Sequence, residues 1–186
     1  MRVRVGASLI EPVPKQREIP CPVRLILAAI GRLKAGPERE LASRYRDRAA
    51  QLGRGLGFPA CDSVEIVESR ARRAPDRCAE EASALLTHLP PGGVLVAYDE
   101  RGRSDIASEA LAERIAGWRD AGRPALMVAI GGPDGLDASI RTKAELILSF
   151  GAATLPHGLV RVLALEQIYR SLTILAGHPY HRGEPG

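Results

Sequence analysis

The residues best placed to hold a ligand and act on it lie in two glycine-bearing loops and a polar tail. Gly131-Gly132-Pro133-Asp134-Gly135 follows the apolar run ALMVAI at 125–130, and Gly151-Ala152-Ala153-Thr154-Leu155-Pro156-His157 follows ELILSF at 145–150. Both runs have the length and apolar character of buried strands. Glycine at a strand end carries no side chain, so backbone N–H and C=O groups come within direct reach of a ligand. The carboxyl ends of strands are where α/β sheets bind ligands. The chain then passes through a long helical pattern into His178-Pro179-Tyr180-His181-Arg182, a tail of titratable and cationic groups.

Other groups admit two readings. Asp99 and Glu100 close the run VLVAY at 94–98 and could act as acid or base, or form an ordinary polar loop. Arg70, Arg72 and Arg73 stand within Ser69–Pro75, where three arginines in four residues could grip two or three phosphates or be a solvated loop. His178 and His181 could ligate a metal, but no cysteine or carboxylate cluster joins them, so no metal is expected. Gly53-Arg54-Gly55-Leu56-Gly57 follows a helix pattern rather than a strand and misplaces its third glycine, which makes it a connection rather than a nucleotide loop. The chain has no G-x-x-x-x-G-K-[ST], no G-x-S-x-G and no H-E-x-x-H.

Strands and helices that would position these residues alternate along the chain. VRLILAAI at 23–30 reads as a strand covered on both faces. From Pro37, a residue suited to a first helical turn, Leu41, Tyr45, Ala49 and Leu52 form a stripe closed by Gly53. SVEIVE at 63–68 alternates as a strand, and Asp76 is the expected N-cap of a helix carrying Ala82 and Leu85. VLVAY follows as a strand, then a helix with Leu111, Ile115 and Trp118 on one face, then ALMVAI. Residues 137–144 allow about two helical turns. The expected fold is α/β, with a mostly parallel sheet and helices on both faces. In the final helix, 159–176, Leu163 and Tyr169 lie well round from the face of Val162, Leu165, Ile168, Leu172 and Leu175. So wide an apolar surface predicts cover on two sides, as at a dimer interface.

Composition bounds the rest. With 186 residues, 45% apolar and 26% charged, this is one ordinary globular domain with no run near the ~20 apolar residues of a membrane helix. Residues 1–22 hold four prolines and no periodicity, and read as a flexible extension or a start assigned too early; 23–186 form the domain. Cys21, Cys61 and Cys78 fit no disulfide frame or zinc spacing, which favours reduced cytosolic thiols. Net charge is +4, and all but Lys15, Lys34 and Lys143 of the 26 basic residues are arginine. That skew suits phosphate, and suits equally a GC-rich coding bias. Aromatic content of 4% argues against a stacking platform for single strands.

Several separated blocks, in order, resemble one family. LILAAIGRLK, Leu95–Gly102, Ile130–Gly135, Leu155-Pro156-His157, Leu159–Val162, Glu166–Arg170 and His178–Arg182 resemble the ribosomal large-subunit pseudouridine N3-methyltransferases, a small SPOUT-class family. The resemblance runs from Val23 to Arg182. It implies a homodimer with a C-terminal trefoil knot, in the cytoplasm, acting on 23S rRNA in the assembled ribosome with S-adenosylmethionine as methyl donor. Carried over by position, it places Tyr98, Asp99, Gly131, Gly132, Gly151, Ala152, Ala153, Thr154, Leu155 and Pro156 around the cofactor. Tyr98 stands where the family commonly has an aliphatic residue. Tyr180, His181 and Arg182 become the catalytic tail, reaching the partner's cofactor, with His181 as base or Arg182 as charge stabiliser. Arg70, Arg72, Arg73 and Arg161 are the expected RNA contacts. The rival class is a non-enzymatic ribosome- or RNA-associated protein that keeps the fold.

Overall fold

A computed structural model describes residues 22–178. Five strands, β1 (Arg24–Ile30), β2 (Cys61–Ile66), β3 (Val94–Arg103), β4 (Ala125–Ile130) and β5 (Leu146–Leu148), alternate with helices α1 (Pro37–Gly53), α2 (Ala74–Leu86), α3 (Ser108–Asp120), α4 (Ala138–Lys143) and α5 (His157–Leu175). They pair in the order β2-β1-β4-β3-β5, every pair parallel. Side chains alternate between the faces, as the pleat requires. Leu25, Leu27, Val96 and Val128 face α1, α3 and α5, while Ile26, Leu95 and Met127 face α2 and α4. β4 is apolar throughout, and β1 is apolar after Arg24, because both their sides are covered.

Four local expectations change. α2 begins at Ala74, so Asp76 lies inside the first turn and Arg73 occupies the cap with no side-chain bond. Pro75 pre-sets the φ of that turn and draws the helix start forward. The Asp99–Ser104 stretch is no loop up to Arg103: β3 continues, with a break in its pairing to β5 between Tyr98 and Arg103. β5 keeps only three residues, and α5 begins at His157, two residues earlier than its periodicity suggests.

Much of the apolar width of α5 is covered within the chain. α5 packs against α1 on one side and α3 on the other while its central stripe meets the sheet. Tyr169 lies 6.0 Å from Tyr45 of α1, centroid to centroid. Tyr169 is thus covered within the chain, while Leu163 stays half-buried and Leu159 is exposed. Residues 1–21 and 179–186, including Tyr180, His181 and Arg182, lie outside the described residues.

Candidate ligand site at the carboxyl ends of the strands

Because all five strands run the same way, their carboxyl ends share one edge. There β4 and β5 release the segments Gly131–Leu136 and Ser149–Leu155, beside Tyr98–Arg101 in the second half of β3. Two adjoining cavities open between them. One, of about 540 Å³, lies between Tyr98–Arg101 and Leu148–Leu155, and the other, of about 500 Å³, between Tyr98–Arg101 and Ile130–Leu136. Both have a volume ordinary for a small-molecule site. Tyr98 lines both and stacks on Phe150, rings 4.5 Å apart and nearly parallel. Burial raises the Tyr98 phenol well above its usual range, so it stays protonated. An aliphatic residue could not form this stack.

Backbone geometry explains the loop sequences. The Ser149 hydroxyl donates to the Gly151 carbonyl at 3.2 Å and accepts its N–H at 3.1 Å, while Gly151 takes a φ of +96° that favours glycine. The Gly135 N–H donates to the Gly132 carbonyl at 3.0 Å, closing a tight turn. A Cβ on Gly131 would lie 2.7 Å from the carbonyl of Gly135, and one on Gly132 would lie 3.0 Å from both Glu81 and Ile30. Asp137 caps α4 by accepting from the Ser139 N–H at 2.8 Å. Arg141 binds the Leu136 carbonyl and reaches Asp99 at 3.3 Å, tying the end of β3 to the glycine loop. Asp99 also accepts from the Arg101 N–H at 3.0 Å.

His157 and Arg161, one turn apart on α5, anchor the strand ends from the other side. His157 Nε2 bonds the Gly131 carbonyl, and its Nδ1 lies 3.4 Å from Arg161 Nη2. A carbonyl can only accept and a guanidinium only donate, so the imidazole is neutral with its proton on Nε2. Burial lowers the His157 pKa below its ordinary 6.5, and the Arg161 charge adds to that, against the Gly131 carbonyl. Arg161 was the fourth expected RNA contact, but only 4% of it is exposed. Its Nη2 donates to the carbonyls of Ile30 and Gly31 at 2.6 and 2.9 Å, and Nη1 lies 3.6 Å from Glu65. It is a buried brace, because those β1-end carbonyls would otherwise lack a donor. Arg70, Arg72 and Arg73, by contrast, are exposed.

The His157 arrangement makes stability pH-dependent in a definite direction. Between the unfolded pKa near 6.5 and the lowered folded value, the unfolded chain binds a proton that the folded chain does not. This contribution is complete above pH 6.5 and is lost as the pH falls below it. We expect the urea midpoint to drop between pH 7 and pH 5, and to drop less in His157→Gln. An equal drop in both proteins would show that His157 is not the group responsible.

Sequence reasoning missed Arg77, Glu81 and Arg141. Arg77 and Glu81 do stand at i, i+4, a spacing that marks a shared helix face. Nothing in that spacing says the face looks toward residue 134. Among the described residues, no group of three or more His, Cys, Asp or Glu could hold a metal ion, and no helix is long and apolar enough to cross a membrane.

A parallel α/β sheet whose strand ends release glycine-rich loops around a two-lobed cavity defines a small-ligand-binding domain of the doubly wound kind. The family model described as predicted SPOUT methyltransferase matches residues 23–181. The ribosomal RNA large subunit methyltransferase H of Methylobacterium radiotolerans is 88% identical over 164 residues, covering 88% of this chain and 100% of the relative. The proteins of the same name from Methylorubrum populi and Xanthobacter autotrophicus are 67% and 58% identical, covering 88% and 86% of this chain and 99% of each relative. Among solved structures, a probable methyltransferase from Bordetella pertussis is 17% identical with a TM-score of 0.45, covering 82% of this chain and 96% of that one. The chain belongs to the SPOUT methyltransferase family.

Proposed function

We propose that this protein transfers a methyl group from S-adenosylmethionine to N3 of a pseudouridine in 23S rRNA, on the ribosome, in the cytoplasm. The observation that carries the reading is the two-lobed cavity at the strand ends, walled by the backbone of Gly131–Leu136 and Ser149–Leu155 within a chain 88% identical to a named large-subunit rRNA methyltransferase. The cavity fits the cofactor in size and chemistry. Its loops present backbone groups to a nucleoside, and Asp99 and Glu100 place carboxylates on the wall shared by both lobes, where a sulfonium cation gains from them. Gly131, Gly132, Gly151–Pro156, Tyr98 and Asp99 would hold it. When bound, the cofactor supplies an electrophilic methyl group.

The chain's own part is to hold and orient. His157 bonds the glycine loop at Gly131, Arg161 braces His157 and the end of β1 beside it, and Arg141 ties the loop to β3. Preorganisation of this kind lowers the barrier by placing the reactants rather than by new bonding. N3 of the neutral base carries a proton that must leave as the new N–C bond forms. His181 is the base in this reading, since an unperturbed imidazole is mostly neutral at pH 7. Arg182 stabilises the charge that develops on the ring, and Tyr180 belongs to the same catalytic tail. These roles rest on the family resemblance, as do the trefoil knot and a homodimer in which each tail completes the partner's site. Arg70, Arg72 and Arg73 are the RNA-facing cations, supported by their exposure.

Mass spectrometry of rRNA nucleosides from cells with and without the gene tests the reaction. The methylated pseudouridine should vanish on deletion and return with the wild-type gene. It should stay absent with a copy lacking residues 180–186, although that protein should bind S-adenosylmethionine normally in calorimetry. An unchanged nucleoside profile would favour the non-enzymatic reading instead.

A further inference from the structure

Arg77 and Glu81 reach from α2 to two loops at once. Arg77 Nε and Nη2 lie 2.6 and 3.0 Å from the two carboxylate oxygens of Asp134, in the glycine loop. Its Nη1 donates to the carbonyls of Ala71 and Arg72, in the basic loop, at 3.0 and 3.1 Å. All three guanidinium nitrogens are therefore in use, across a separation of 57 residues. Glu81 repeats the pattern. Its Oε1 accepts from the Ser69 N–H at 3.0 Å, and its carboxylate packs against Gly132. The Cys78 thiol lies 3.6 Å from the Asp134 carbonyl oxygen.

An exposed ion pair would mean little. Here Arg77 and Asp134 are each 28% exposed and meet as a two-pronged fork, which sets geometry as well as energy. Anchoring the basic loop alone would need only the carbonyl bonds, and neutralising Asp134 alone would need only the fork. One side chain making both sets the distance between the loops. The basic loop in turn leaves Arg70, Arg72 and Arg73 pointing outward. Arg73 is held only by a 3.9 Å contact to Asp76 between two well-exposed side chains.

We propose that Arg77 is a positioning residue, which fixes the basic loop to the glycine loop so that an RNA phosphate gripped by Arg70–Arg73 sets the register of the target base over the cofactor cavity. The proposal rests on the reading of the site as an rRNA methyltransferase. Misplacement of a substrate by about 1 Å can cost on the order of a hundredfold in rate. Losing Arg77 therefore acts on transfer within the bound complex and spares the binding of each ligand by itself.

The test uses the full-length protein and ribosomes lacking the modification. Arg77→Ala, Arg77→Lys, Asp134→Asn and the Arg77→Ala/Asp134→Asn double variant are compared with the triple replacement of Arg70, Arg72 and Arg73 by alanine. Single-turnover methylation, ribosome binding across a salt series, and cofactor affinity by calorimetry are measured. Arg77→Ala should slow transfer roughly 10- to 100-fold. Its cofactor affinity and the slope of log affinity against log salt should match wild type. The double variant should be no slower than Arg77→Ala, and Arg77→Lys should fall between, since one ammonium cannot fork. The triple variant should lose about 2 or 3 from the salt slope.

Three results overturn the proposal: an unchanged transfer rate in Arg77→Ala, a salt slope reduced by about 1, which would make Arg77 a phosphate contact itself, or collapse of its cofactor affinity, which would confine it to the cofactor loop. If the triple variant keeps the wild-type slope, the RNA-facing reading fails at its root, a result distinct from any Arg77 outcome.

Discussion

Gly131→Ala is expected to lose S-adenosylmethionine affinity by roughly a hundredfold or more while the protein still folds, an effect of about 3 kcal/mol. The added methyl would sit 2.7 Å from the Gly135 carbonyl group and 3.0 Å from the Leu136 side chain. Backbone cannot yield as a flexible side chain would, so the turn from Gly132 to Gly135 must open. Opening it moves the Gly131 carbonyl away from His157 and changes the wall of the second lobe. The strand pairing is kept, because Gly131 lies beyond the last residue of β4, although Leu136, a core side chain beside the loop, must shift. Calorimetry against a circular-dichroism spectrum separates the two effects. Wild-type affinity with a native spectrum would remove the glycine loop from the cofactor site. Gly132→Val should act in the same direction through Glu81 and Ile30, which a Cβ would crowd at 3.0 Å.

Arg161→Leu is expected to cost about 2–4 kcal/mol of stability, since it leaves carbonyl acceptors unpaired in a buried setting. The carbonyls of Ile30 and Gly31 would lose the guanidinium, and Glu65 would lose one of its two arginine partners, keeping Arg39 at 3.0 Å. For a domain of this size that corresponds to a fall in melting temperature of about 2–4 °C per kcal/mol. Arg161→Lys keeps the charge but not the fork, and should lie between the two. Urea denaturation of the three proteins measures the order. Were Arg161 a surface contact for RNA instead, Arg161→Leu would melt with wild type and lose only ribosome affinity.

How much of this could be read from the sequence depends on the range of the interaction concerned. The near-continuous apolar runs VRLILAAI and ALMVAI implied strands covered on both faces, and they are β1 and β4 at the centre of the sheet. Strand-end glycines implied close approach, and the loops do wall the cavities. Asp76 misled because a good capping residue competes with a proline one position earlier, and the proline constrains the backbone directly. The end of β3 misled because Asp99, Glu100 and Arg101 are polar, yet their backbone continues the strand.

Arg161 and α5 mark the boundary more sharply. Periodicity shows which residues of α5 want cover but not who supplies it; α1 and α3 cover most of them within the same chain, while Leu159 stays exposed. An arginine near a helix start has the same sequence signature whether it faces solvent or the carbonyl ends of a distant strand. Only the crossing of α5 over the end of β1, 130 residues away, decides that Arg161 is a brace. The same holds for Arg77, whose fork on Asp134 exists because α2 runs beside the β4 loop.

By itself, then, the sequence determined the alternation of strands and helices, the parallel sheet, the glycine loops and the family, because each is carried by local propensity or by wording within a few residues. Tertiary structure alone decided which charged side chains are buried, which tautomer His157 holds and which loops are bound together. Those depend on pairings between segments far apart in the chain, and a hydrogen bond across the fold leaves no mark on the spacing of either partner.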